Sequence, residues 1–172
     1  SHFQAQQAID TAFNLRYFQN GDSTNPELAG IKTAIIGSFF TMIVFIALSF
    51  PLAVATALYL EEFAKKNFLS NIIEININNL AAVPSIIFGL LGLAIFINLF
   101  GLPRSSSLVG GLTLALLVLP TIVIAARNSI KAVPSSIKAA ALALGASRMQ
   151  VAIHHTLPLA LPGIITGTIL AI

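Results

Sequence analysis

Long apolar runs separated by short polar joints dominate this chain. No charged residue occurs between Lys32 and Glu61, between Glu74 and Arg104, or between Arg104 and Arg127. Gaps of that length suit membrane helices, because about 20 apolar residues cross the hydrocarbon layer. The pattern predicts spans over about 33–60, 80–100 and 108–126, and a fourth that starts near 159 and is still running at Ile172. Pro51 falls in the second half of the first span, where it is tolerable if Ser49 or a neighbouring helix satisfies the freed backbone groups. Pro84 stands near the start of the second span, whose Gly89 and Gly92 offer close backbone approach, and Gly163 and Gly167 give the fourth a GxxxG spacing. Isoleucines alternate with polar residues from Ile73 to Ile77 as in a strand. A lone strand beside a membrane has no partner for its backbone, so a surface helix or elbow is expected there.

The first 28 residues break this pattern. "AQQAIDTAFNLRYF" places Ala5, Ile9, Ala12 and Phe13 at helical spacing, and "NGDSTNPE" is turn-rich. The expected organisation is an extramembrane arm over 1–28 and a transmembrane domain over 29–172. The chain opens on Ser-His without a methionine and stops inside an apolar run, which reads as an internal fragment of a longer membrane protein.

Composition narrows the function. The chain is 56% hydrophobic and 9% charged, against roughly 25% charged residues in a soluble domain. Its net charge is +3, but the basic residues stand singly or in pairs at the ends of apolar runs. That is a topological signature and not a nucleic-acid footprint. If the 61–71 and 127–156 connections share a side, they hold Lys65, Lys66, Arg127, Lys131, Lys138 and Arg148, against Arg16, Lys32 and Arg104 opposite. This excess places those connections in the cytoplasm and the 1–28 arm on the periplasmic side. The absence of cysteine excludes thiolate metal sites, thiol catalysis and disulfides. His154 and His155 are adjacent, diverge by about 100° on a helix and make a poor metal site. Glu61 and Glu62 with Lys65 and Lys66 read as (i, i+4) pairs. With no acid–base cluster and no GxxxxGK[ST] loop, no catalytic residue, metal site or cofactor is assigned to this chain.

One segment is too polar to span and too apolar for an ordinary loop: "IKAAALALGASRMQVAIHHTLP", residues 137–158. Ser135 or Ser136 is the expected N-cap of a helix through Leu144, with Ile137, Ala140, Ala141 and Leu144 on one face. Gly145 then stops it and Ser147 caps a second helix, in which Met149, Ala152, Ile153 and Thr156 align before Pro158 closes it. Periodicity allows an amphipathic connector resting on headgroups or a surface gripped by another protein. The small side chains favour the second.

The run Ala139–Ala141, Gly145 and Thr156–Pro158 resembles the cytoplasmic loop motif of ATP-binding-cassette importer permeases, in which Glu-Ala-Ala is followed by three residues, a glycine, nine more and Ile-x-Leu-Pro. Ala140, Ala141, Gly145, Leu157 and Pro158 match, while Ala139 and His155 stand where the motif has glutamate and isoleucine. "YLEEFAKKN", "NNLAAVPSIIFGLLGLAIF", "LTLALLVLPTIVIAAR", "KAVPSSIKAAALALGAS" and "LPGIITG" together resemble the PstA-type permeases of phosphate-specific importers, over about 30–172. Asn128 stands where an acidic residue commonly follows the arginine.

The resemblance implies an all-α polytopic transmembrane bundle of the type I importer permease kind, in a bacterial inner membrane, with a cytoplasmic coupling helix. It implies a homologous permease subunit sharing the path, a dimer of ATPase subunits that hold ATP and Mg, and a periplasmic phosphate-binding protein. Docking to the ATPase is expected through Ala139, Ala140, Ala141, Leu144, Gly145, Ala146, Leu157 and Pro158. For the substrate path the residues themselves offer Arg127, whose guanidinium presents a fork of donors to an oxyanion, and whose alternative role is a topological anchor. They also offer Pro84 and Ser85, where a broken helix exposes backbone donors or merely kinks. The competing functions are a permease for another anion or solute, and a membrane scaffold or channel that needs no ATPase.

Overall fold

A computed structural model describes residues 16–24, 29–65 and 67–172. The elements are α1 (Arg16–Gln19), α2 (Lys32–Phe63), α3 (Phe68–Ala81), α4 (Ser85–Leu99), α5 (Ser107–Lys131), α6 (Ser135–Ala143) and α7 (Arg148–Ala171), and no strand occurs among the described residues. The chain divides into two compact units, residues 1–40 and 41–172.

In the first unit α1 is a single turn. The chain returns past it through Gly30 N–H to Gly21 O (2.9 Å) and Ile31 N–H to Tyr17 O (2.9 Å). Gly30 is required there, since a Cβ would stand 2.2 Å from the Asn20 carbonyl oxygen. The helical spacing noted at Ala5, Ile9, Ala12 and Phe13 lies outside the described residues.

In the second unit the core is thin and follows the axis of α5. Ala57, Ala126, Ile130, Val133, Ala160 and Ile164 form one buried cluster, and Ala53, Ile77, Ile122 and Val123 another. Small residues make this closeness possible. A Cβ on Gly167 would lie 2.5 Å from Ala125 Cβ, one on Gly163 2.7 Å from Ser129 Oγ, and one on Gly92 2.3 Å from Thr113 Oγ1. The GxxxG pair of α7 thus lies against α5, and of the α4 pair only Gly92 makes a close approach, since a Cβ on Gly89 would meet no other element within 4 Å. The outer faces are apolar and uncovered, with Ile86, Leu90, Ile165, Ile169 and Leu170 all exposed.

Among the described residues three helices are long and apolar enough to cross a membrane: α2, α5 and α7. The expected second span is broken. α3 and α4 meet at 97° across Ala82–Pro84, because proline disfavours helical geometry in the residue before it and supplies no N–H. Eight residues of α-helix and seven of π-helix in α4 reach only about 22 Å, less than the hydrocarbon thickness. The elbow expected near Ile73–Ile77 is α3, capped by the Asn67 side chain on Ser70 N–H.

Pro51, Pro120, Pro158 and Pro162 lie inside helices, and the first and third show how the backbone accommodates them. Pro51 leaves the Ala47 carbonyl without its helical donor, yet α2 runs on. Ser49 does not fill that gap: its hydroxyl donates to Phe45 O at 2.8 Å. Pro158 was expected to end a short helix, and instead lies within α7, which continues to Ala171. The turn before it, Ala152–Thr156, is π-helical, with Leu157 N–H reaching Ala152 O. The wider turn relieves the clash between a proline ring and the carbonyl a turn earlier. In that turn Thr156 Oγ1 is buried without a partner.

Candidate functional site

The 137–158 segment folds as a helix, a one-residue bend and a second helix. Pro134, not a serine, occupies the N-cap of α6 and offers no side-chain acceptor, so Ser135 is already the first helical residue. The C-terminus is closed by a complete Schellman motif. Gly145 has φ +89°, its N–H donates to Leu142 O, and Ala146 N–H donates to Ala141 O at 3.1 Å. A glycine is required by that φ, since an L side chain there is strained. Only Ala146 separates this stop from the next start. Ser147 and Gln150 form a capping box, with Ser147 N–H to Gln150 Oε1 at 2.8 Å and Gln150 N–H to Ser147 Oγ at 3.3 Å.

Two interlocking motifs therefore fix the angle between α6 and α7 and hold up a projecting apolar tip. Leu144 is 90% exposed, although burying such a side chain is worth about 2 kcal/mol. Beside it lies a hollow of about 350 Å³ lined by Ile137, Ala140, Ala141, Leu144, Ala146 and His155. A second of about 440 Å³ adjoins it along Gly145, Gln150 and His154. The stripe Ile137, Ala140, Ala141 and Leu144 thus lines one concave surface. In α7 the inward residues are Val151, Ala152 and Thr156, while Met149 and Ile153 are exposed.

Of the expected docking residues, Ala140, Ala141, Leu144 and Ala146 line the first hollow, and Gly145 forms the bend. Ala139 is exposed outside both hollows. Leu157 is half-buried against the Ala57–Ile164 cluster and Pro158 lies outside the hollows, so this end of the motif anchors the surface instead of forming it. His154 Nδ1 lies 3.2 Å from Gln150 O.

The charged residues assemble on the same end of α5. Arg127, 8% exposed, donates from Nε to Glu61 Oε1 at 2.6 Å and approaches Glu74 Oε2 through Nη2 at 3.0 Å. Lys131 Nζ lies 3.6 Å from Glu61 Oε1. These groups and Asn67, Ser70 and Asn71 line a cleft of about 620 Å³ that includes neither Pro84 nor Ser85. Arg127 therefore spends its donor fork on two carboxylates of this chain, joining α2 and α3 to α5, and Pro84 and Ser85 stand apart at the α3–α4 break.

The local (i, i+4) pair expected of Glu61 with Lys65 is replaced by distant ones, and Glu62 also has a distant partner. The helix ends at Phe63 and Ala64 is extended, which carries Lys65 off the helical face; Lys66 lies outside the described residues. Glu62 binds Lys138 of α6. Every acidic residue from Thr41 onward, namely Glu61, Glu62 and Glu74, is consumed in this way. Their rarity was the available signal. In so apolar a chain, a carboxylate near a span end is expected to find a cation on a neighbouring helix.

Comparison with known proteins agrees with this architecture. Residues 49–172 match the family described as binding-protein-dependent transport system inner membrane component. The chain is 36% identical over 143 residues to the probable ABC transporter permease protein YqgI of Bacillus subtilis, covering 83% of this chain and 48% of the relative. It is 30% identical over 161 residues to the phosphate transport system permease protein PstA of Haemophilus influenzae, covering 94% and 56%. It is 32% identical over 143 residues to the phosphate transport system permease protein PstA 1 of Mycobacterium tuberculosis, covering 83% and 46%. The chain thus spans about half the length of the curated relatives it matches, and no solved structure matches it. With its long apolar helices and a family match over most of its length, the chain belongs to the multi-pass inner-membrane components of binding-protein-dependent transport systems.

Proposed function

We propose that this chain is a permease subunit of an ATP-driven phosphate importer. It forms the translocation path with a homologous permease subunit and docks an ATPase subunit on the concave surface of α6. In this reading a periplasmic binding protein delivers phosphate, ATP and Mg reside on the ATPase dimer, and α6 and the start of α7 face the cytoplasm. The observation that carries the docking half is Leu144, an almost fully exposed leucine held at the rim of a small-residue hollow by a Schellman motif and a capping box. Such a surface is incomplete until an apolar partner covers it. The substrate half is supported by the names of relatives such as those from Haemophilus influenzae and Mycobacterium tuberculosis. The Bacillus subtilis relative carries no substrate in its name, which keeps a permease for another small anion or solute as the second reading.

The test is affinity purification of the full-length complex from its native membrane with Leu144 intact or changed to Asp. Ala141 is a worse position, since it is buried and a charge there would disturb the fold. Leu144→Asp should insert normally and lose the ATPase subunit. An unchanged yield of ATPase would sink the docking assignment. Radiolabelled phosphate uptake should fall with it, and uptake displaced by another oxyanion but not by excess phosphate would favour the second reading.

A further inference from the structure

We propose that Glu62 and Lys138 form a strut that passes displacement of α6 to α2, and so are positioning residues for coupling. The inference rests on the docking reading for the origin of the displacement, but the strut is a property of this chain alone. α6 is joined by the backbone to α5 through Ala132–Pro134, where Val133 is buried in the core, and to α7 through the glycine bend. It has no backbone connection to α2. The Lys138 Nζ to Glu62 Oε1 hydrogen bond supplies the missing link across 76 positions of sequence.

The pair is unlike an ordinary surface ion pair. Its side chains are 25% and 15% exposed, so water and salt screen it less than a pair in open solvent. Its neighbour on the chain, Glu61, is bound at the same time by Arg127 and Lys131 of α5. Consecutive carboxylates on the last turn of α2 thus grip two different elements, and α6 cannot shift along the membrane surface without pulling on that turn or breaking the pair. Lys138 lines neither hollow, so the side that would be gripped and the side that transmits are separate and can be altered independently.

The test uses the complete importer reconstituted in vesicles, with Glu62→Gln, Lys138→Met and the exchanged pair Glu62→Lys with Lys138→Glu. Phosphate imported per ATP hydrolysed is the readout. Each single variant should retain the ATPase subunit and hydrolyse ATP but import at least about fivefold less per ATP, the low end of typical coupling between sites. The exchanged pair should restore the ratio. A wild-type ratio in the single variants, or no restoration on exchange, overturns the proposal.

A second measurement is independent of docking. This chain has no cysteine, so once any cysteine outside it is replaced, spin labels placed through Ala55→Cys and Ser136→Cys report the α2–α6 distance in the full-length permease. Lys138→Met should broaden that distance distribution and the exchanged pair should narrow it again; an unchanged distribution overturns the strut. If the wild-type complex itself holds no ATPase, the docking reading fails while the distance measurement still decides whether the strut exists.

Discussion

At the scale of single residues, the charge cluster on α5 shows how burial decides between similar contacts. Glu61 and Glu74 both bind Arg127, but the Glu61 side chain is 14% exposed and that of Glu74 44%. Removing the charge of Glu61 takes from the buried Arg127 guanidinium the better shielded of its two carboxylates. Removing that of Glu74 leaves a site that water enters freely. Glu61→Gln is therefore expected to destabilise the detergent-solubilised protein by about 3 kcal/mol, at the low end for a broken buried pair. Glu74→Gln should cost under about 1 kcal/mol, as at exposed pairs. Denaturant unfolding of the two variants checks the order; equal losses would mean that the pairs are not distinguished by burial. This cluster was not legible from local spacing. Glu61 and Lys65 have the offset of a helical pair, and only the end of the helix at Phe63 shows that Lys65 leaves that face. The glycine bend was legible because its cause is local: Gly145, one spacer and Ser147 with Gln150 three residues on contain both motifs that form it.

At the scale of elements, the long apolar helices could be read from the gaps between charges, while the way they break could not. Alternation at Ile73–Ile77 was correctly set aside in favour of a helix, since the membrane penalises an unpaired strand edge. The place of the break follows from Pro84 itself, but its 97° angle and the passage of α7 through Pro158 on a π turn depend on the surrounding helices, which no local pattern encodes. Close packing was better signalled, because small residues at four-residue spacing have few other uses in an apolar helix. Gly167 makes this testable. Its Cβ-to-be meets Ala125 Cβ at 2.5 Å, a distance that real Cβ atoms do not adopt. Gly167→Ala should therefore push α7 from α5 and cost about 1–3 kcal/mol, as overpacking does. Adding Ala125→Gly removes the opposing methyl group and should recover most of the loss. No recovery in the double variant would show that the helix contact is not what the glycine serves.

At the scale of the molecule, orientation follows from where the ends of α5 lie. The Gly101–Ser106 turn precedes α5 and α6 follows it, so if α5 crosses the membrane, Ser105 and Ser136 stand on opposite faces. Charge decides which face is which. Lys65, Arg127, Lys131, Lys138 and Arg148 gather at the end near α6, and Arg104 alone marks the turn before α5. Positive residues close to span ends are retained in the cytoplasm, whereas acidic residues contribute little, so Glu61, Glu62 and Glu74 do not offset the bias. Both serines are exposed, and this chain has no cysteine, so once any cysteine outside it is replaced each is a clean reporter. In right-side-out membrane vesicles a membrane-impermeant thiol reagent should label Ser105→Cys and spare Ser136→Cys. Inverted vesicles should reverse the result. Labelling of Ser136→Cys from the outside would place the concave surface of α6 in the periplasm, where no ATP-hydrolysing subunit could reach it.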